Sequence, residues 1–222
     1  MHALQWMWTE LSTSVSLAHV DRPVYNTPMH EISIDPEAPA RERILQAAQR
    51  LFYRDGIRAT GTNALIDEAG VTKVTFYRHF ASKDALVEAF LDARHAYWLD
   101  WFEQALDRHG ATPAAIAPAL AEWLADPDFR GCAFLNSVGE YGRALASVKR
   151  VARMHKQQMI AAVTNCLDKK DAATQPKARQ IALAIDGAIM RVQSGEPASG
   201  VVADLDALVQ CVAGTFPALS QA

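Results

Sequence analysis

Cysteine is scarce in this chain. Cys132, Cys166 and Cys211 are odd in number and widely spaced, and no two stand as CxxC. That pattern argues against a disulfide framework and against a thiolate zinc site. The seven histidines form no HExxH and no HxH, and they do not cluster with cysteine, so no metal is expected. There is no glycine-rich phosphate loop and no GxSxG, and with them go the usual signs of a nucleotide cofactor or an activated serine; neither cofactor nor enzymatic activity is expected. No apolar run reaches the roughly 18 residues that cross a bilayer, and no positively charged start precedes an apolar stretch, so the expectation is a soluble cytoplasmic protein with no membrane contact. No segment alternates apolar and polar residues convincingly, which leaves an all-α fold.

Positive charge is also lacking overall, and its distribution is more informative than its sum. The net charge is −3, too negative for a protein that coats DNA without selectivity. Residues 1–40 hold one basic and five acidic residues, 41–84 hold eight basic against five acidic, and 85–222 hold thirteen against fifteen. The single positive section, 41–84, contains the stretch Thr62 to Lys83, TNALIDEAGVTKVTFYRHFASK. Two short helical segments there flank Ala69-Gly70-Val71, small residues where helices must turn sharply and pack closely. Thr62, Thr72 and Ser82 each stand one residue ahead of a segment, where a hydroxyl accepts from an unpaired helical N–H. This is the pattern of a helix-turn-helix with Lys73 to His79 as recognition helix. Lys73, Thr75, Tyr77, Arg78 and His79 supply donors for phosphates and base edges, and Val74 suits a thymine methyl. Phe76 and Phe80 suit the core beneath, with Leu65, Ile66 and Val71.

The run Ala69-Gly70-Val71-Thr72-Lys73-Val74-Thr75-Phe76-Tyr77-Arg78-His79-Phe80-Ala81-Ser82-Lys83-Asp84-Ala85-Leu86 resembles the tetracycline-repressor (TetR) family of transcriptional regulators, whose DNA-binding region typically reads AGVSKGTLYxHFxSKxxL. The likeness covers roughly residues 40 to 90. Val74 and Gly61 depart from it, standing where a small residue and Ser or Thr are common. The resemblance implies that Tyr77 and Lys83 hold the DNA backbone. Asn63, Lys73, Val74 and Thr75 are the candidates for base edges. The expected DNA-contacting set is Thr62, Asn63, Thr72, Lys73, Val74, Thr75, Tyr77, Arg78, His79 and Lys83.

Around the motif the chain divides into three. Residues 1–35 show no sustained period and are expected to be disordered or loosely docked, with Met29 as an alternative start. Residues 36–84 form the helix-turn-helix domain, opening near Pro36 to Pro39 with a first helix that stops at Gly56. Residues 85–222 form a larger helical domain. A long helix runs from Asp84 to Asp107, and others span 113–125, 132–141, 145–167, 176–194 and 201–212, with breaks at Gly110, Pro113, Pro127, Gly131, Gly142, Gly195, Pro197 and Gly200.

The segment Gly131 to Tyr141 resembles one that borders the effector cavity in many of these regulators. Asn136 and Glu140 share a helical face there, and serve as polar anchors in an apolar chamber lined by Trp98, Trp101, Phe102, Trp123 and Phe134. The bland alternatives are that the rings are core, that Asn136 ties down a helix end, and that Glu140 is solvated or paired with Arg143. In the last two helices Ala178, Ile181, Ala182, Ile185, Ala188, Ile189 and Val192, then Val202, Leu205, Leu208, Val209 and Val212, form apolar stripes for either an internal pair or a four-helix homodimer interface. The family resemblance favours the homodimer. The expected function is a ligand-responsive regulator, a repressor that leaves a near-palindromic double-stranded operator when a small molecule binds. The rival is a helical small-molecule-binding protein or enzyme that no longer binds DNA.

Overall fold

The computed structural model describes residues 33–167 and 171–214. The expected extension over 1–35 and the alternative start at Met29 therefore lie, apart from residues 33–35, outside the described residues. Among the described residues the structure is all-helical, with no strand.

The helix α1 spans Ala40–Asp55, after Pro39 at its cap position and before Gly56 at φ +90°. That φ favours glycine, and a Cβ at Gly56 would also lie 2.9 Å from the Glu140 carboxylate oxygens. Next come α2 (Thr62–Glu68) and α3 (Lys73–His79), joined through Gly70 at φ +60°. Thr72 caps α3 as its side chain accepts from the Thr75 N–H, and Ser82 caps the next helix by accepting from Ala85 N–H. Thr62 does not cap. It is the first residue of α2, and extended Gly61 holds the cap position with no side chain to contribute.

The long α4 (Lys83–Arg108, 26 residues) runs about 39 Å and belongs to two packing units. Its first turns close the core of α1 to α3: Ile44, Phe52, Leu65 and Phe76 are buried together with Leu86, Val87 and Phe90. Phe52 meets Phe90 edge to face at 5.3 Å between centroids. The second half of α4 packs against α5 (Ile116–Leu124), which a single 3-10 turn at Pro113–Ala115 introduces, and against α7 (Ala146–Asn165). Between them comes α6 (Ala133–Tyr141), laid on α7 and α4. The chain then forms α8 (Thr174–Gln193) and α9 (Ala198–Ala213), with α8 against α7 and α9 and α9 against α5.

This arrangement corrects part of the assignment of the apolar stripes. Ala178, Ile181, Ala182, Ile185, Ala188 and Ile189 of α8, with Val201, Leu205 and Val209 of α9, are buried within the one chain. They make the internal pair. The solvent side of α8 carries Leu183 (72% exposed) and Met190 (50%), while Leu208 of the expected α9 stripe is itself exposed (52%) and Val192, Val202 and Val212 are half-buried. Both helices are apolar on more than one face, so spacing alone could not say which face was outermost.

Candidate nucleic-acid interface and aromatic cavity

The outer surface of α3 is built by what α3 buries. Phe76 is wholly inaccessible and Phe80 nearly so, and the two rings lie 6.4 Å apart. Burying an aromatic of this size contributes about 1.5–3 kcal/mol, which pins the seven-residue helix to α1 and α2. With Phe76 fixed inward, Lys73, Val74, Tyr77, Arg78 and His79 are exposed, as are Asn63 on α2 and the cap Thr72. Val74 is 69% exposed. An apolar side chain held in water beside a row of donors suits a groove that offers both methyls and hydrogen-bond acceptors. Thr62 and Thr75 are half-buried, and the Thr75 hydroxyl lies 2.9 Å from that of Thr72.

Lys83 is half-buried and its ammonium donates to the Ile57 carbonyl, just beyond the end of α1. It also lies 5.9 Å from the Phe52 ring centroid and 6.0 Å from that of Tyr141. Burial lowers its pKa, opposed by Asp84 and Glu140. Its charge therefore has internal partners as well as exposure.

The five aromatics expected to line a chamber do come together. Trp98 stacks on Phe102 at 4.8 Å and meets Trp123 at 5.8 Å, and Trp101 lies 6.3 Å from Trp123. Phe134 joins through His155, stacked on it at 3.7 Å, while His155 touches Trp98 at 4.8 Å. Trp98, Trp123 and Phe134, with Arg94, Cys132, His155, Lys156 and Ile189, surround a cavity of about 10 Å³, about one water.

Asn136 and Glu140 are not in that chamber. Asn136 donates to the Arg130 carbonyl at 2.9 Å and accepts from Gln193 at 3.0 Å, which ties the loop before α6 to α8. Glu140 accepts from the Arg58 backbone N–H at 3.0 Å, and its own carbonyl accepts from the Arg58 side chain. Both border a separate cleft of about 260 Å³ between α1 and α6, with Tyr53, Gly56, Arg130 and Ser137 among its walls. The reason is rotational: α6 turns Phe134 inward, and this leaves Asn136 and Glu140 toward α1 and the loop that follows it.

The sequence reading missed the polar groups inside the core. Arg94, His95 and His155 are all buried. The Arg94 guanidinium lies 4.0 Å from the Tyr53 ring centroid. Burial lowers its pKa and raises that of Tyr53. The Tyr53 hydroxyl donates to the Gly131 carbonyl at 3.1 Å and accepts from the Arg130 N–H at 3.0 Å, so α1 is bonded to the loop before α6. Tyr141 adds a second tie, donating to Asp84 at 2.7 Å. His155 Nδ1 lies 3.2 Å from His95 Nδ1; burial, then Lys156 and His95, push its pKa down to about 2. Arg94 falls in phase with Phe90, Leu91 and Trp98 on the buried stripe of α4, so a charged residue on an apolar stripe was a signal available in the sequence.

Known proteins share this geometry. The model of the family described as bacterial regulatory proteins, tetR family, matches residues 44–90. The HTH-type transcriptional regulator TtgR of Pseudomonas putida is 42% identical over 55 residues, 25% of this chain and 26% of that protein. The transcriptional regulator YvkB of Bacillus subtilis is 43% identical over 53 residues, 24% of this chain and 28% of that one. The chain thus spans little more than a quarter of the length of these curated relatives. A crystal structure of a TetR-family transcriptional regulator from Streptomyces coelicolor extends the likeness, at TM-score 0.70 and 31% identity over 79% of this chain and 94% of that one.

Proposed function

The chain belongs to the TetR family of bacterial regulatory proteins, and on that premise we propose that it is a homodimeric repressor that leaves a near-palindromic operator when a small molecule binds. Residues 36–84 would bind DNA and residues 85–222 would bind the effector and form the dimer. The reading is carried by α3, which turns Phe76 inward and presents Lys73, Val74, Tyr77, Arg78 and His79 together to solvent. Lys73 and Val74, with Thr75 and Asn63, are the proposed readers of base edges. Thr62, Thr72, Tyr77, Arg78, His79 and Lys83 are the proposed backbone contacts, which fix register without reading sequence.

Dimerisation would set two α3 helices about 34–36 Å apart, so that they enter successive major grooves. The proposed interface is the outer face of α8 and α9, with Leu183, Met190 and Leu208 at its centre. The effector would act at the aromatic cluster of Trp98, Trp101, Phe102, Trp123 and Phe134. The proposed effect on DNA is a change in recognition-helix separation, carried by α4 and by the α6 contacts of Glu140 and Tyr141.

Selection of duplexes from a random pool by the full chain tests this reading. Enrichment of a near-palindrome is expected, and Lys73→Ala should relax one or two positions per half-site by about 1–3 kcal/mol. A pool with no enriched sequence would refute the proposal.

A further inference from the structure

Two buried hydrogen-bond donors on one face of α4 have no acceptor among the described residues. Arg94 and Trp98 are one turn apart on the buried face of α4, 2% and 3% exposed. Among the described residues, neither Arg94 Nη2 nor Trp98 Nε1 has a hydrogen-bond partner. Both residues line the cavity shared with Trp123, Phe134 and His155. Neither side chain can accept, since a guanidinium and an indole only donate.

The charge of Arg94 is also uncompensated. Among the described residues no carboxylate pairs with it, and its charge partner is the face of the Tyr53 ring. Lys156, which borders the same cavity, is paired with Asp186 at 2.5 Å. His155 is neutral. The cavity therefore carries one net positive charge in apolar walls, an arrangement that disfavours the empty protein and favours a monoanion.

We propose that the effector is a small aromatic carboxylate, its carboxylate held by Arg94 Nη2 and Trp98 Nε1 and its ring packed among Trp123, Phe134 and His155. This rests on the ligand-responsive reading above and names its ligand class. A flat ring suits walls that are themselves rings, and one carboxylate matches one guanidinium. The vacant space is about 10 Å³, so the ligand enters by parting the aromatic wall. Arg94 turned toward the carboxylate leaves the face of Tyr53, and Tyr53 holds α1 to Arg130 and Gly131. Filling the cavity thus removes the contact between Arg94 of α4 and the Tyr53 ring of α1, one of the ties between the helix on which α2 and α3 pack and the helical body.

Benzoate and its neutral isostere benzamide separate the possibilities, read on the full chain by thermal shift and by the fluorescence of the tryptophans at the cavity. Benzoate is expected to bind about 10- to 100-fold more tightly, the worth of hydrogen bonds to a charged group. Arg94→Gln should bring that ratio close to one. Equal binding of benzoate and benzamide to the parent protein, or no binding of benzoate, overturns the proposal whether or not the variant folds. Release of the selected operator is measured separately by fluorescence anisotropy. Benzoate that binds through Arg94 without releasing DNA supports the anion site and refutes ligand-responsive repression. DNA release by neutral compounds alone does the reverse.

Discussion

A carboxylate placed at Leu183 distinguishes a surface that closes a dimer from one that fills a core, because its neighbour Ile185 on the same helix supplies the contrast. Leu183 is 72% exposed in the single chain and Ile185 is wholly buried. Fully burying a leucine contributes about 1.5–3 kcal/mol, and Leu183 has about that fraction of its surface left to bury, so each copy contributes roughly 1–2 kcal/mol to a dimer. A two-fold interface counts the residue twice, which gives about 2–4 kcal/mol, or about 30- to 1000-fold in the dissociation constant. Desolvation of the two carboxylates in Leu183→Asp adds to that figure. The monomer fold should hardly change, since the side chain is in water there. Ile185→Asp should instead cost more than about 4 kcal/mol within one chain, against a total stability of about 5–15 kcal/mol. Sedimentation equilibrium gives the association constant, and far-ultraviolet circular dichroism shows whether the helices persist. The expected pair is a helical monomer of unchanged stability for Leu183→Asp and a chain destabilised by more than about 4 kcal/mol for Ile185→Asp. A Leu183→Asp protein that dimerises as tightly as the parent would remove the outer face of α8 from the interface.

Lys83→Ala should lower stability by about 1 kcal/mol in urea unfolding, through loss of the ammonium bond to the Ile57 carbonyl. It should also lower the salt dependence of operator binding by about one counterion per half-site if the ammonium exchanges Ile57 for a phosphate on DNA; an unchanged slope would confine Lys83 to its structural contact. His155 makes the fold acid-sensitive. Its pKa is 6.5 when unfolded and about 2 when folded, so the unfolded state takes up the proton first. The contribution of His155 is fully present above the unfolded value and is lost progressively below it, a loss of roughly 3 kcal/mol by about pH 4.5. Unfolding of His155→Gln against pH should show a flatter slope over that range, and a slope equal to the parent's would refute the assignment.

The helices and most of their ends were legible because their causes are local, although Gly200, expected as a break, lies inside α9. Pro39 before α1, Gly56 after it, Gly70 in the turn, and the Thr72 and Ser82 hydroxyls each act within a few residues of themselves. The outward row on α3 was equally legible, because Phe76 and Phe80 leave only one way for a seven-residue helix to sit. The cap assigned to Thr62 failed by one position, since Gly61 can be extended without strain and helix can begin at the threonine itself.

What the tertiary structure alone decided is where faces with more than one use are directed. The period of α8 places Ile185 and Leu183 on different sides, but only its packing against α7 and α9 makes Ile185 core and leaves Leu183 outside. Asn136 and Glu140 share a face of α6, yet the rotation that buries Phe134 against His155 sends them to Arg130, Gln193 and Arg58 rather than to the aromatic cluster. Arg94 stands out in the sequence as a charge on the apolar stripe of α4, but only the tertiary structure brings the Tyr53 ring over it and, among the described residues, no carboxylate. Local order follows from neighbours along the chain. The partners of a buried charge follow from residues tens of positions away, whose approach depends on how every helix between them packs.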